Sequence, residues 1–384
     1  MFADRMSRIA PSGTMATADL VEKLKKEGID IVSFALGEPD FDTPEHIVKA
    51  AISALNQGFT HYTPTQGIPE LREAIAKKSK EENDISCDAS NVIVTPTKLG
   101  IFASVLALSG KGDEVILPDP GFVSYFQMIN FAGAKAVGVR TLKDNGFRML
   151  PDDVAEAINP KTKVIILNSP GNPTGCVATK DDMKGIADLA QDHGLFVITD
   201  EIYEKIIYKG EHHSIAALDN MFERTVTLNG FSKSYAMTGW RLGWVLASKE
   251  IVKEIQKIQQ HSISCAVSFA QKAGVAALKG PQESVKKMVS ELRERRDIMV
   301  KGINSISKLE CNAPQGAFYV FAEFNYDKPS VEFAKFLIEN AHVAITPGSS
   351  FGSGGEGFIR FSFATSQESI DEGLKRIENA LAKL

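Results

Sequence analysis

The stretch that decides the fold runs from residue 163 to residue 199, KVIILNSPGNPTGCVATKDDMKGIADLAQDHGLFVIT. It begins with the apolar run KVIIL at 163–167 and ends with a second such run, LFVIT at 195–199. Between them, residues 180–193 have the spacing of an amphipathic helix, and Thr179 followed by two aspartates is typical of a helix N-terminus. A strand, a helix and a second strand in this order predict a βαβ unit with parallel strands.

Similar short runs occur on both sides of this unit and extend the same pattern. The additional predicted strands are 92–95, 114–117, 135–139, 225–229 and 242–247, and the additional predicted helices are 67–82, 100–109 and 152–158. The strand candidates are apolar and mostly β-branched, as expected of strands that are buried on both faces of a parallel sheet. The sequence therefore predicts an open α/β fold, with a mostly parallel sheet of seven strands and helices on both faces.

The pattern changes after residue 247, where longer helical stretches replace the alternation of strands and helices. The predicted elements are helices at 249–279, 281–306 and 329–340, strands near 316–323 and 357–363, and a terminal helix from residue 367. This order of elements predicts a smaller α+β domain.

The length of 384 residues and this change of pattern together predict two domains. We expect a large domain over residues 46–285 and a small domain over residues 286–384. Residues 1–45 lie outside the sheet pattern, and we expect them to form an arm that packs on the small domain or on a partner chain.

Composition limits the classes of function. The formal net charge is -5 and is spread along the chain, so nothing indicates a nucleic-acid surface or a membrane-binding stretch. No apolar run reaches the roughly eighteen residues of a spanning helix, and the N-terminus lacks the apolar core of an export signal. The four cysteines lie far apart, which favours reduced thiols over a disulfide framework or a zinc site. These features predict a cytoplasmic protein.

Three polar residues lie just after three of the predicted strands. Asn172 follows 163–167, Asp200 follows 195–199, and Lys233 follows 225–229. Each residue alone has an ordinary interpretation, as a turn residue, a helix cap or a surface charge. Because ligands of open parallel sheets bind outside the carboxyl ends of the strands, their joint occurrence predicts one site.

This set of residues suits the chemistry of pyridoxal 5′-phosphate. A lysine amine can hold the aldehyde as an imine, and a carboxylate can keep the pyridine nitrogen protonated, so that the ring accepts electrons. An amide and the phenol of Tyr203 could contact the ring oxygen. Ser232, Ser234 and Arg241, together with the N-terminus of the predicted helix at 100–109, could bind the phosphate.

Seven blocks of sequence resemble the class I/II aminotransferases, the aspartate aminotransferase group, in their order and spacing. They are FALGEPDFDTPEHI (34–47), YTPTQGIPELREAIA (62–76), SPGNPTG (169–175), TDEIY (199–203), SKSYAMTGWRLGW (232–244), PQGAFYVF (314–321) and IRFSFA (359–364). The resemblance implies a fold-type I pyridoxal-phosphate enzyme that acts as a homodimer with shared active sites. It also implies ping-pong transfer of an amino group between 2-oxoglutarate and an L-amino acid of the aspartate, aromatic or alanine type.

The resemblance also implies roles for individual residues. Lys233 would be the imine lysine and the proton shuttle, and Asp200 and Tyr203 would complete the catalytic set. The implied cofactor contacts besides these are Asn172 at the ring oxygen, Phe122 on the ring face, Ser232, Arg241, Thr97 and Lys98 at the phosphate, and Tyr62 at the phosphate of the neighbouring subunit. The segment TPTKLG at 95–100 departs from the family's usual Gly-(Gly/Ala)-(Ser/Lys), although its backbone N–H donors remain available after Pro96.

The implied substrate contacts are Arg360, Asn172 and Gly37. Arg360 would hold the substrate α-carboxylate with its planar fork, and Gly37 would let that carboxylate approach the backbone closely. A further hypothesis is that Lys98 and Thr14 bind the distal carboxylate of aspartate or glutamate, because a buried unpaired charge is costly. The alternatives are that Lys98 contacts the phosphate or solvent, and that an open apolar pocket accepts aromatic or alanine substrates.

Two other functions remain open from the sequence. A lyase, decarboxylase or synthase of the same fold would use identical cofactor residues. A ligand-sensing domain of a regulator would need a DNA-binding helix-turn-helix, for which the short N-terminal arm leaves no room.

The pair His212 and His213 is the remaining candidate for a metal site. No further ligands occur near it at a suitable spacing. We therefore predict no metal and expect both histidines to lie in a surface turn.

Overall fold

The computed structural model describes residues 2–383, apart from the side chains of residues 4, 14 and 16. Within that range the helices are α1 Gly13–Lys26, α2 Glu45–Asn56, α3 Pro69–Asn83, α4 Thr97–Leu108, α5 Val123–Ala132, α6 Pro151–Ala157, α7 Lys180–Asp192, α8 Lys249–Gln260, α9 Ser268–Lys279, α10 Glu283–Ser305, α11 Ser330–Ala341 and α12 Gln367–Leu381. The strands are β1 Val32–Ser33, β2 Val92–Val94, β3 Glu114–Asp119, β4 Lys135–Arg140, β5 Thr162–Asn168, β6 Phe196–Asp200, β7 Thr225–Gly230, β8 Gly243–Leu246, β9 Leu309–Glu310, β10 Tyr319–Phe324, β11 Val343–Ala344, β12 Thr346–Pro347 and β13 Phe358–Ser362.

The large sheet contains seven of the described strands in the order β2-β8-β7-β6-β5-β3-β4. Only β8 runs antiparallel to its neighbours, while the other adjacent pairs are parallel. All seven strands correspond to the apolar runs of the sequence, and most residues of the central ones are buried. The predicted fold class is therefore confirmed.

The sequence signal at the start of α7 is also confirmed. The Thr179 hydroxyl accepts a hydrogen bond from the backbone N–H of Asp182 at 3.1 Å, and the Asp182 carboxylate accepts one from the N–H of Thr179 at 2.9 Å. This reciprocal pair satisfies two N–H groups that a helix start leaves without partners. The helix therefore begins where the sequence predicts it.

A smaller antiparallel sheet, in the order β12-β13-β10-β9, lies in the C-terminal part of the chain. The N-terminal segment joins this region, because β1 pairs in parallel with β11 and Phe34 exchanges backbone hydrogen bonds with Ala344 and Ser362. Phe34 is fully buried in a core shared with α10, α11 and α12. The proposed limit between the two domains, at residues 285 and 286, falls near the start of α10, and the domain limits stay a prediction.

Several helix predictions differ from the structure. The stretch 249–279 is two helices rather than one, because the chain turns at 261–267 and Ser264 adopts a left-handed φ of 62°. The sequence patterns did not predict α2 and α5. None of the helices described between residues 2 and 383 combines the length and the apolar composition that a bilayer crossing requires.

Candidate active site

The carboxyl ends of β5, β6 and β7 lie side by side, since these three strands are parallel neighbours in the large sheet. Asn172 comes four residues after β5, Asp200 is the last residue of β6, and Lys233 comes three residues after β7. All three residues line one cavity of about 440 Å³. Pockets for small molecules typically measure about 300–1,000 Å³, so this cavity has the size of a ligand site.

Eleven of the thirteen residues predicted for the site line this cavity. They are Gly37, Thr97, Lys98, Phe122, Asn172, Asp200, Tyr203, Ser232, Lys233, Arg241 and Arg360. Tyr62 is not among them and is 89% exposed on the single chain. The side chain of Thr14 lies outside the described residues, although Met15 and Ala18 of the same helix line the cavity.

Lys233 points into the cavity between the sheet edge and the N-terminal segment. Its Nζ donates a hydrogen bond to the carbonyl oxygen of Gly37 at 2.5 Å. Burial lowers the pKa of the Lys233 amine to about 8, Arg360 and Arg241 lower it as well, and Glu38 acts in the opposite direction. An amine with this pKa is partly neutral near neutral pH, so it can act as a nucleophile or a base.

Asp200 is buried at the end of β6 and has a phenol as its side-chain partner. The hydroxyl of Tyr125 donates a hydrogen bond to Asp200 Oδ2 at 2.7 Å. Burial raises the pKa of Asp200 to about 6, although the bonds from Tyr125 and from the Ile202 N–H lower it. Sequence reasoning missed Tyr125, because it lies in the first turn of α5, a helix that the sequence patterns did not predict.

A second missed residue is Tyr319, which the block PQGAFYVF contains. Its hydroxyl lies 2.9 Å from the hydroxyl of Tyr203, and the two rings meet edge to face. Burial raises the pKa of both phenols. Tyr319 also explains why residue 37 is glycine, because a Cβ there would lie 2.6 Å from the Tyr319 hydroxyl.

Arg360 is 2% exposed and lies at the wall of the cavity opposite the sheet edge. Its two terminal nitrogens donate to Asn172 Oδ1 at 3.0 Å and to the Ala35 carbonyl at 2.7 Å. Its Nε has no hydrogen-bond partner among the described residues and is buried. Burial lowers the pKa of Arg360, and no carboxylate among the described side chains forms an ion pair with it. A buried guanidinium with an open donor is suited to binding an incoming carboxylate.

The segment that departs from the family pattern forms the first turn of α4. This helix begins at Thr97, three residues before the predicted start, so the backbone N–H groups of Thr97 and Lys98 are at its N-terminus. The Thr97 hydroxyl donates to the carbonyl of Asn229 at 3.0 Å. It packs so closely on Gly230 and Gly243 that neither could carry a Cβ without displacing it. The start of a helix at the cavity favours an anionic ligand group.

Two cations lie at the open rim beside this helix. Partial desolvation lowers the pKa of Lys98, and the nearby Arg241 lowers it further. The Lys98 ammonium lies 5.4 Å from the centre of the Phe122 ring. Neither Lys98 nor Arg241 forms an ion pair with a carboxylate in the described part of the chain. Ser232 lines the same cavity, whereas Ser234 is buried outside it.

These groups fit pyridoxal 5′-phosphate. Asp200 is a buried carboxylate that has no cationic partner in contact within residues 2–383, and a protonated pyridine nitrogen would supply one. The unpaired cations and the helix start would hold a phosphate, and the amine of Lys233 can bond to an aldehyde. The fold and the site therefore define a pyridoxal-phosphate enzyme.

Comparisons with known proteins give the family. The chain matches the family of class I and II aminotransferases over residues 29–377. An aspartate aminotransferase of Musicola paradisiaca is 44% identical over 99% of this chain and 96% of its own length. Aromatic-amino-acid aminotransferase 2 of Thermococcus litoralis is 42% identical over 99% of this chain and 98% of its own. The structure of an aspartate aminotransferase from Thermus thermophilus with maleate is 39% identical, covers 99% of both chains and superposes with a TM-score of 0.95.

This chain therefore belongs to the class I and II aminotransferases, and it is a pyridoxal-phosphate-dependent aminotransferase. The match covers nearly the whole of the relatives as well as of this chain. The resemblance inferred from the seven blocks is confirmed. A lyase, a synthase or a ligand-sensing domain is no longer needed to explain the site.

The prediction for one of the two histidines is wrong. The His212 side chain is only 9% exposed, and its Nε2 lies 3.0 Å from Glu201 Oε2. The expectation that no possible ligand lies near His212 is also wrong, because Glu201 and Glu204 of the preceding turn both lie within 4.8 Å of it. His213 is half-buried in the same segment.

Proposed function

We propose that this aminotransferase exchanges the amino group of L-aspartate with 2-oxoglutarate, and that it turns over aromatic and alanine-type amino acids less efficiently. The observation that carries the proposal is the pair of cations in one cavity: buried Arg360 on one wall and Lys98 at the rim. A dicarboxylic acid has two carboxylates and needs two such partners. The activities of the two curated relatives include both aspartate and aromatic amino acids.

Lys233 and Asp200 are the proposed catalytic pair. Pyridoxal phosphate, when bound, supplies an aldehyde that reacts with amines and a ring that accepts electrons. The neutral amine of Lys233 would take the proton from the Cα of the amino-acid donor. In the second half of the exchange, it would give a proton to the Cα of the new amino acid. Asp200, held by Tyr125, would keep the pyridine nitrogen protonated. Such an exchange in two halves, with one substrate leaving before the next binds, is a ping-pong mechanism.

Arg360 and Asn172 are the proposed contacts of the α-carboxylate, next to the backbone at Gly37. The guanidinium is held in place from behind by the Ala35 carbonyl and by Thr346, at 2.7 and 3.3 Å. The Arg360 side chain is therefore already ordered, and it loses little conformational entropy when a carboxylate binds. Clamping the α-carboxylate in this way favours loss of the Cα proton over loss of carbon dioxide.

The remaining cofactor contacts are proposed from their positions at the cavity. Phe122 would cover the ring face, and Tyr203 with Asn172 would contact the ring oxygen. Thr97, Ser232 and Arg241 would bind the phosphate at the start of α4, where Lys98 is also within reach of the rim.

We propose further that the enzyme is a homodimer of the cytoplasm. Tyr62 is 89% exposed and lies outside the cavity of its own chain, which favours a role in which the partner's Tyr62 reaches the phosphate. The apolar side chains of Ile52 and Leu55 on α2 are also exposed on the single chain, as expected of a surface covered by a partner. The four cysteines are free, which favours a reducing compartment.

The test of the substrate proposal is the replacement of Lys98. We expect Lys98→Ala to reduce kcat/KM for aspartate by about a hundredfold and that for phenylalanine by about threefold at most, because only aspartate loses a charge partner. Lys98→Arg is the matched control, since it keeps the charge. Equal losses for both substrates would assign Lys98 to the phosphate and refute its role at the distal carboxylate.

A further inference from the structure

Behind the turn that carries Asp200 and Tyr203 lies a second group of charged side chains, on the side away from the cavity. We call it the rear cluster. It consists of Lys78, Asn83, Glu201, Glu204, His212 and Ser214. Its charged members are nearly inaccessible to solvent, and none of the six lines the cavity. Burying two carboxylates costs free energy, so each of them needs hydrogen-bond or charge partners that offset this cost.

Glu204 is held by two residues of α3. The ammonium of Lys78 forms a close ion pair with Glu204 Oε1. The amide nitrogen of Asn83 donates to Glu204 Oε2 at 2.7 Å, and the Asn83 oxygen accepts from Lys78 at 2.6 Å. Burial opposes ionisation of Glu204, but Lys78, His212 and Asn83 outweigh it and hold its pKa at about 2. Glu204 is therefore ionised at every physiological pH.

Glu201 is held by three other side chains. The Ser214 hydroxyl donates to Glu201 Oε1 at 2.7 Å, and the Thr199 hydroxyl lies 3.3 Å from the same oxygen. His212 Nε2 lies 3.0 Å from the second oxygen, Oε2. Burial lowers the pKa of His212, yet Glu201 and Glu204 raise it on balance. Both oxygens of Glu201 therefore have partners.

The rear cluster has the residue types of a metal site, but its carboxylate oxygens are bonded to other side chains. Glu201, Glu204 and His212 offer three ligand atoms within 4.8 Å of one another. Every carboxylate oxygen is already bonded, however, and Lys78 supplies the positive charge that a cation would bring. The Nδ1 atom of His212 is buried without a hydrogen-bond partner among the described residues, but one open atom alone does not make an ion site.

The position of the two glutamates in the chain shows what they can control. Glu201 follows Asp200 directly, and Glu204 follows Tyr203 directly. The side chains of Asp200 and Tyr203 face the cavity, whereas the two glutamates face the rear cluster. The backbone between them is a tight turn, because the Glu204 N–H donates to the Glu201 carbonyl at 3.0 Å. Fixing the glutamates therefore fixes the direction of both cavity-facing side chains.

We propose that His212, Ser214 and the α3 residues Lys78 and Asn83 are positioning residues, which hold Asp200 and Tyr203 against the cofactor through Glu201 and Glu204. They touch neither cofactor nor substrate. The rear cluster connects α3, β6 and the segment 212–214 to the turn at residues 200–204. The loss of a contact at any of these elements should therefore shift the side chains of Asp200 and Tyr203. This inference rests on the proposed roles of Asp200 and Tyr203.

The test compares His212→Phe with His212→Gln. Phenylalanine keeps a ring but leaves Glu201 Oε2 without a donor, whereas glutamine restores an N–H. We expect His212→Phe to weaken cofactor binding about tenfold, in the range seen when supporting partners of ligand-binding side chains are removed, and to reduce the visible circular dichroism of the bound cofactor. His212→Gln should recover binding to within about threefold. His213→Phe is the matched control at the adjacent position and should bind the cofactor as the wild type does.

Ser214→Ala is a milder variant that keeps the test decisive if His212→Phe does not fold. It removes one hydroxyl from Glu201 Oε1 and should weaken cofactor binding by about threefold. If the folded variants of His212 and Ser214 keep wild-type affinity and circular dichroism, even at reduced thermal stability, the rear cluster is only structural and the inference is refuted. Asp200→Asn is measured in the same series. Wild-type behaviour of that variant would instead refute the proposed role of Asp200.

Discussion

The two sides of the turn at residues 200–204 differ in how their charges are balanced. On the cavity side, Arg360 has an open donor, Asp200 has no cation in contact within the described chain, and the pKa of Lys233 is lowered to about 8. On the rear side, Glu201 and Glu204 have partners on every oxygen. Burial is similar on both sides, so burial alone does not identify a reactive site. Charged groups that are incompletely paired and line one cavity do, because their missing partners are supplied by cofactor and substrate.

The largest effect is expected on the rear side. Glu204→Gln leaves the buried Lys78 ammonium with only the half-exposed carboxylate of Glu82 at 3.6 Å as a countercharge. The variant should therefore lower the free energy of unfolding by about 3 kcal/mol, measured by denaturant titration. The double variant Lys78→Met, Glu204→Gln removes both charges and should recover most of the loss. Equal stability of the single variant and the wild type would show that the ion pair is unimportant.

The difference in the free energy of unfolding between the wild type and Glu204→Gln should depend on pH in a definite direction. The pKa of Glu204 falls from 4.5 to about 2 on folding, so its ionised form stabilises the native state above pH 4.5. The advantage of the wild type over Glu204→Gln should therefore shrink as the pH falls from 4.5 towards 2.

A second prediction concerns the cavity side. Arg360→Met should reduce kcat/KM for every amino acid by about a hundredfold, because all substrates share the α-carboxylate. Stability should fall less than in Glu204→Gln, and the protein should still bind the cofactor. Arg360→Lys is the control for charge, and it should recover little, since lysine lacks the planar fork. Activity that survives Arg360→Met would place the carboxylate site elsewhere.

The smallest expected effect is a shift in the pH at which the cofactor-free protein takes up pyridoxal phosphate. The amine of Lys233 must be neutral to react, and its pKa is lowered to about 8 from 10.5. The rate of uptake, followed by absorbance, should therefore rise with pH, reach half of its maximum near pH 8 and level off about one pH unit higher. Glu38→Gln removes a carboxylate that raises this pKa, so the midpoint should move to lower pH. A midpoint near 10 in the wild type would contradict the account.

The sequence was most informative where local pattern and burial agree. All seven strands of the large sheet are short apolar runs, most of them rich in β-branched residues, and the polar residues after β5, β6 and β7 predicted where the site lies. The break at 261–267 was missed, because HSISCAV contains neither glycine nor proline and continues an apolar pattern.

What the sequence could not supply are contacts between distant segments. His212 contacts Glu201, eleven residues before it, and Lys78 reaches the same cluster from α3, more than a hundred residues away. Tyr125 reaches Asp200 across 75 positions. No repeating pattern of residues along the chain predicts either contact, because both depend on how helices pack on the sheet.

The most direct test of the account is to locate the cofactor on the chain. Reduction of the holoenzyme with borohydride makes the bond between a lysine and the cofactor permanent, and trypsin then fails to cleave at that lysine. We expect the modified peptide to be TVTLNGFSKSYAMTGWR, residues 225–241, with the added mass on Lys233. Attachment at Lys98, or no attached cofactor in an active preparation, would contradict the account.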